Sequence, residues 1–140
     1  MAQASKASAY IGEERKFAIN IEAAGFNIDT DDFEIEITNH KESFSVQKTG
    51  EPNERGIWAN ANGSVVVFFE ETQTETPAEE PGGEPTVTTT KTWWGIVDTQ
   101  FFTKPGDLFV IATAYVTDAT AYDGVRKVID EKFLLTLKNK

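Results

Sequence analysis

Hydrophobic side chains recur at every second position along much of this chain. Phe17, Ile19 and Ile21 alternate with Lys16, Ala18, Asn20 and Glu22, and Phe33, Ile35 and Ile37 alternate with Glu34, Glu36 and Thr38. Phe44 and Val46 alternate with Ser43, Ser45 and Gln47, and near the C-terminus Ile129, Phe133, Leu135 and Leu137 share one parity. Successive side chains of a strand point to opposite faces, so each segment offers one apolar and one polar face. Three such segments in the first fifty residues, separated by turns, predict an all-β, antiparallel β-sandwich of roughly seven to nine strands. No segment reads as an amphipathic helix of three turns, and no internal repeat is present.

Two segments are apolar on both faces. One is Val65–Phe69. In the other, Leu108, Val110, Ala112, Ala114 and Val116 lie on one face, with Phe109, Ile111 and Tyr115 on the opposite one. Either both faces are covered within the fold, or the second face meets a partner; spacing alone leaves both open. Turn chemistry falls between the segments. Asn62-Gly63 suits a hairpin turn into Val65, Lys104-Pro105-Gly106-Asp107 fits a type II turn, and Tyr122-Asp123-Gly124 forms a third.

The stretch from Glu70 to Pro85 departs from this pattern. It holds six glutamates, three prolines and no basic residue. It has no large apolar side chain to offset the entropy of ordering, so residues 71–85 are expected to form a long mobile loop. The Thr-rich run that follows, ending in Trp93-Trp94, is β-branched and aromatic and predicts a strand. A flexible arm is expected over residues 1–10, and the whole of 1–140 reads as one domain.

Composition narrows the function. The net charge of −10 argues against nucleic acid, which needs a clustered cationic footprint. The one locally basic stretch, with Arg126, Lys127, Lys132, Lys138 and Lys140 against Asp130 and Glu131, reads as a solvated strand edge or as a dock for an acidic partner. The apolar run Val65–Phe69 is far shorter than the ~20 residues of a spanning helix, so no membrane segment is expected. Cysteine is absent, which removes disulfides and thiol chemistry and mildly favours a cytoplasmic origin.

Catalytic chemistry finds little to work with. The single histidine, His40, sits in Thr38-Asn39-His40-Lys41 and reads as a solvated turn residue. No nucleophile elbow, phosphate loop or zinc-binding helix pattern is present. Asn27-Ile28-Asp29-Thr30-Asp31-Asp32 gathers three carboxylates in a turn, as calcium sites do, but lacks the glycine and distal glutamate of an EF-hand loop. The chain is therefore expected to be no enzyme, with no metal, no cofactor and no small-molecule ligand.

Aromatic residues are the remaining signal. Trp93 and Trp94 must face opposite sides of a strand, so one belongs to the core and the other to the surface. Trp93, Trp94, Phe101, Phe102 and Tyr115 are the interface candidates, since aromatic burial is the usual currency of protein contacts. An exposed tryptophan stacking on a sugar gives the alternative, a carbohydrate-binding module.

The order of segments resembles small immunoglobulin-like β-sandwich proteins of tailed-phage particles, of the upper-baseplate N-terminal domain type or the head-decoration and head-fibre type of crAss-like phages. The residues that carry it are the Phe17–Ile21 strand, the Asp29–Ile37 turn and strand, the stretch from Asp98 through Phe101-Phe102 and Lys104-Pro105-Gly106 to Tyr115, and the closing Asp123-Gly124 to Leu137 segment. Together they span about residues 10–138. The resemblance implies an immunoglobulin-like sandwich and a virion structural role in head or tail, assembled in the host cytoplasm, with other virion proteins as partners in a homo- or hetero-oligomer. It carries no catalytic residues across.

Overall fold

The computed structural model describes residues 7–139. The chain is all-β, and the helical content of these residues is a single 3-10 turn, Thr99–Phe101. The strands are β1 (Ser8–Tyr10), β2 (Glu14–Ala18), β3 (Phe33–Thr38), β4 (Ser43–Lys48), β5 (Trp58–Ala59), β6 (Val65–Thr76), β7 (Thr86–Asp98), β8 (Gly106–Thr117) and β9 (Val125–Lys138). They form a five-stranded sheet, β1-β9-β8-β3-β4, and a four-stranded sheet, β2-β7-β6-β5. One hydrophobic core joins the inner faces of both, as in a β-sandwich.

Period-two patterning explains that core. Phe33, Ile35 and Ile37 of β3 are fully buried, as are Val65, Val67, Val97 and Leu108, while Glu34 and Glu36 between them are only partly covered. Each such side chain contributes roughly 1.5–3 kcal/mol on leaving water. Gly95 is required by close approach. It pairs with Phe17, whose ring lies across it, and a Cβ there would overlap that ring. At the mouth of the core, buried Thr99 accepts the Gly12 N–H at 2.9 Å and donates to the Glu13 carbonyl at 2.7 Å. That hydroxyl ties the β1–β2 turn to the end of β7.

Several expectations are corrected. Not every pairing is antiparallel, because β1 runs parallel to β9. Ser8–Tyr10 are thus a strand and not part of a flexible arm; residues 1–6 lie outside the described residues. The strand expected over Phe17–Ile21 is β2, which ends at Ala18, although Ile19 is still buried and its N–H bonds to the Trp93 carbonyl at 3.0 Å. The expected loop over 71–85 is shorter, because β6 continues to Thr76; β7 begins at Thr86, where the Thr-rich strand was expected, and the two pair residue for residue from Glu70↔Thr92 to Thr76↔Thr86. Only 77–85 are irregular. This paired segment forms an arm whose residues are all exposed.

The parity of β9 also changes. Leu108 pairs with Leu135 but Phe109 pairs with Phe133, so Leu134 is an extra residue, a β-bulge. Leu135 and Leu137 point into the core. Before the bulge the phase is reversed, and Phe133 (40% exposed) and Ile129 (66%) face outward. The Tyr122-Asp123-Gly124 turn that precedes β9 forms as expected. Gly124 takes φ +79°, and the Asp123 carboxylate accepts the Val125 N–H at 3.1 Å.

Candidate functional site

The five aromatic candidates fall in separate places. Trp93 (3% exposed) and Phe102 (1%) are core residues and are withdrawn as interface candidates. Trp94, Phe101 and Tyr115 are half-buried. Trp93 and Trp94 do point to opposite faces of β7.

Trp93 organises one end of the sandwich. Its ring lies 5.6 Å from Trp58, 5.0 Å from Phe69 and 5.6 Å from Phe33, and its indole N–H donates to Asp29 Oδ1 at 2.7 Å. The buried Lys48 reaches over the cluster, 5.4 Å from the Trp93 ring centre, and donates to the Asp31 carbonyl at 2.9 Å. Burial pushes the Lys48 amine below the usual lysine range; Asp32, Asp31 and Asp29 push the other way and Lys91 adds to the depression. A recess of about 580 Å³ opens here, with Asp29, Asp32, Glu51 and Lys91 at its polar rim.

The acidic turn is spent on this architecture. Asp29 holds Trp93, Asp31 accepts the Asn27 N–H at 2.9 Å, and Asp32 accepts the Thr49 hydroxyl at 3.2 Å. Among the described residues no three Asp, Glu or His side chains converge as metal ligands. The recess combines this charge with an aromatic wall, of which Trp58 and Trp93 are both buried.

Phe102 plugs the core edge-on to Phe44 at 5.0 Å, and Phe101 lies 6.1 Å from the same ring. Their segment is pinned by Glu42, whose carboxylate accepts the Thr103 N–H at 3.1 Å and the Thr103 hydroxyl at 2.9 Å. Desolvation tends to raise the Glu42 carboxyl, but these bonds, with Asn39 and Lys104, hold it below its ordinary value. This is a structural clasp.

The two outer faces differ from such internal packing. On the four-stranded sheet, Val66, Phe68, Trp94 and Ile96 project outward and are only half covered. Lys16 lies 4.3 Å from the Trp94 ring centre and pairs with Glu70 at 2.7 Å, closing the exposed side of the indole. Trp94 Nε1 is buried with no acceptor among the described residues. A recess of about 490 Å³ runs beside Val66, Phe68 and Ile96, with Glu14, Arg55 and Asp98 around it. On the five-stranded sheet, Phe109 packs edge-on to Phe133 at 6.0 Å, with Ile111 and Ile129 in the same face. His40 is an exposed residue of the turn after β3, as expected, and it also makes contacts. It takes φ +70°, and its ring lies 4.9 Å from Phe109 and its Nε2 3.5 Å from Glu131. Lys127 lies over Tyr115 at 5.8 Å; burial, then Glu34 and Asp32, push the Tyr115 hydroxyl above its usual value.

Sequence reasoning names Trp94, and Tyr115 with Phe109 and Ile111 on its face, but not Phe68, Ile129 and Phe133 beside them. Phe68 was legible as the off-phase residue of the doubly apolar Val65–Phe69 run. Ile129 and Phe133 were hidden, because the bulge turns residues of core parity outward. No protein-family model, curated protein or solved structure matches the chain.

Proposed function

We propose that this chain is a structural domain that acts by binding other proteins. Its setting, on this reading, is a phage particle, where it decorates the capsid or joins tail and baseplate proteins, and its sandwich is immunoglobulin-like in kind. It performs no catalysis. One observation carries the binding role: both outer faces present apolar rows, Val66-Phe68-Trp94-Ile96 on one and Phe109-Ile111-Ile129-Phe133 on the other. An isolated sandwich keeps its outer faces polar, and extended apolar patches mark contact sites. A sugar-binding role is less well supported, since no tryptophan offers an open ring face: Trp58 and Trp93 are buried and Lys16 covers Trp94.

The test is density-gradient fractionation of lysates that contain the native chain, with photocrosslinking from positions 66 and 96. The chain should travel with particles and crosslink to their proteins. Recovery only as a slow-sedimenting, uncrosslinked species would overturn the proposal.

A further inference from the structure

The arm formed by β6 and β7 leaves a strand edge open. Strand β2 pairs with β7 from Asp98 back to Trp94, and the Ile19 N–H bonds to the Trp93 carbonyl at 3.0 Å. The chain then turns toward β9, where the Asn20 carbonyl accepts the Lys132 amine at 3.3 Å. From Thr92 to Thr86, therefore, β7 has β6 on one side and no strand on the other among the described residues, and every one of these residues is exposed. Backbone direction is fixed too. In an antiparallel ladder the N–H and C=O of one residue point to the same side, and the side alternates along the strand. The Asp98 N–H bonds to the Ser64 carbonyl at 2.8 Å, on the β6 side, whereas the Trp93 carbonyl serves the β2 side. Val87, Thr89 and Lys91 share the parity of Trp93, so their backbone groups face the open edge.

We propose that this edge pairs with the same edge of a second copy, antiparallel, about a two-fold axis at Thr89, so that two arms merge into one continuous ribbon. An open edge is a template for adding a strand. The register follows from the open groups. With the axis at Thr89, Thr89 meets its own mate and Val87 meets Lys91, and all three residues exchange both backbone hydrogen bonds. Moving the axis to Thr88 sets Lys91 against Pro85, which has no N–H. Moving it to Thr90 sets Val87 against Trp93, whose carbonyl Ile19 already holds. The side chains agree with the Thr89 centre. On the other face of the ribbon Thr88 meets Thr90 and Thr86 meets Thr92, hydroxyl pairs of the kind that stabilise sheets, and no like charges oppose each other. Such a contact is isologous and closes at two copies.

The β6 edge of the same arm is guarded. There the residues whose backbone faces outward are Glu71, Gln73 and Glu75, and a row of like charge resists a second copy of itself. The β7 row carries one charge, Lys91, which lies beside Glu71 in its own ladder. Val87, 58% exposed, gains the cover of the Lys91 stem opposite it. The contact is small, in the weak class below roughly 1,200 Å², so copies meet at high concentration and part on dilution. It is independent of the particle role proposed above and uses neither apolar outer face.

The chain has no cysteine, so single thiols report the pairing. Under mild oxidation the full chain bearing Thr89→Cys should form a disulfide-linked dimer, because hydrogen-bonded antiparallel mates have Cα atoms roughly 5.5 Å apart, within disulfide reach. Gln73→Cys, also exposed and opposite Thr89 in the arm, should stay uncrosslinked, since three strand spacings, roughly 14 Å, part the two thiols. Chains bearing Val87→Cys should link to chains bearing Lys91→Cys and not to their own kind. Thr89→Pro removes an N–H that no bond within the arm uses, so circular dichroism of this variant should match the parent. In sedimentation equilibrium the parent should dimerise reversibly with rising concentration, and Thr89→Pro should weaken that dimer about tenfold or more. A parent chain monomeric at every concentration, equal crosslinking at 73 and 89, no link between 87 and 91, or a Thr89→Pro dimer as strong as the parent's would each overturn the proposal. Growth beyond the dimer, the mark of β7 pairing with β6 of the next copy, would overturn it as well.

Discussion

Strands β6 and β7 make one continuous ladder through two different environments. At its base Val65, Val67, Trp93 and Val97 are buried in the sandwich; beyond Glu70↔Thr92 the same two strands run on as an exposed arm. Backbone pairing does not distinguish them. Side chains do: the base turns one face to a core, whereas the arm offers Thr72↔Thr90, Gln73↔Thr89 and Thr74↔Thr88 with nothing on either side. A two-stranded ribbon is marginal in water by itself. The arm therefore owes its register to the base, and the difference shows that pairing sets geometry while burial sets stability.

The strongest way to break this comparison is at the base. Trp93→Ala should cost about 3–5 kcal/mol, as large aromatic truncations in cores do, because it empties the contact among Trp58, Phe69 and Phe33. Urea denaturation reads this directly, and a loss below about 1 kcal/mol would mean that the aromatic end is not part of the cooperative core. Next comes Gly95→Val, which drives Phe17 off its place on the backbone and should cost about 1–3 kcal/mol. Unchanged stability there would show that β2 is loosely held.

A smaller effect is alkaline. Because the folded Lys48 amine sits below its ordinary value, the unfolded chain binds the extra proton between the folded value and roughly 10.4. Stability from this group should therefore rise with pH across that window and level off above it. Subtracting the pH profile of Lys48→Met from that of the parent isolates the effect, and parallel profiles would refute it. Smallest of all is excision of the arm. Replacing Glu71–Lys91 by Asn-Gly joins Glu70 to Thr92, which already face each other, and should change stability by no more than about 0.5 kcal/mol. A loss above about 2 kcal/mol would show that the arm packs on something.

Much of this was readable in the residues, for reasons that also explain the misses. Phe33, Ile35 and Ile37 announced β3 because a strand with one wet face must alternate. The Val65–Phe69 run announced outward apolar positions because both of its phases are oily. The arm was misread because its glutamates and threonines carry no burial signal; its order comes from a ladder begun elsewhere. The parallel β1 pairing is long-range and leaves no local trace in Ser8-Ala9-Tyr10. The withdrawn candidates Trp93 and Phe102 share one cause: an aromatic side chain looks the same in sequence whether it plugs a core or waits for a partner.

The bulge at Leu134 has a consequence for how such a surface could arise or vanish. Composition on either side of it is similar, Phe133 before and Leu135 after, yet one faces outward and the other inward. Removing a single codon at 134 would take out the bulge and leave Phe133 directly before Leu135 in an unbroken alternation. With Leu135 and Leu137 anchored inward, Phe133 would still lie opposite Phe109 and face outward, and Ile129 with it. The bulge thus absorbs one residue of extra length without moving any side chain of the strand from one face to the other, and the outer apolar row would survive its loss.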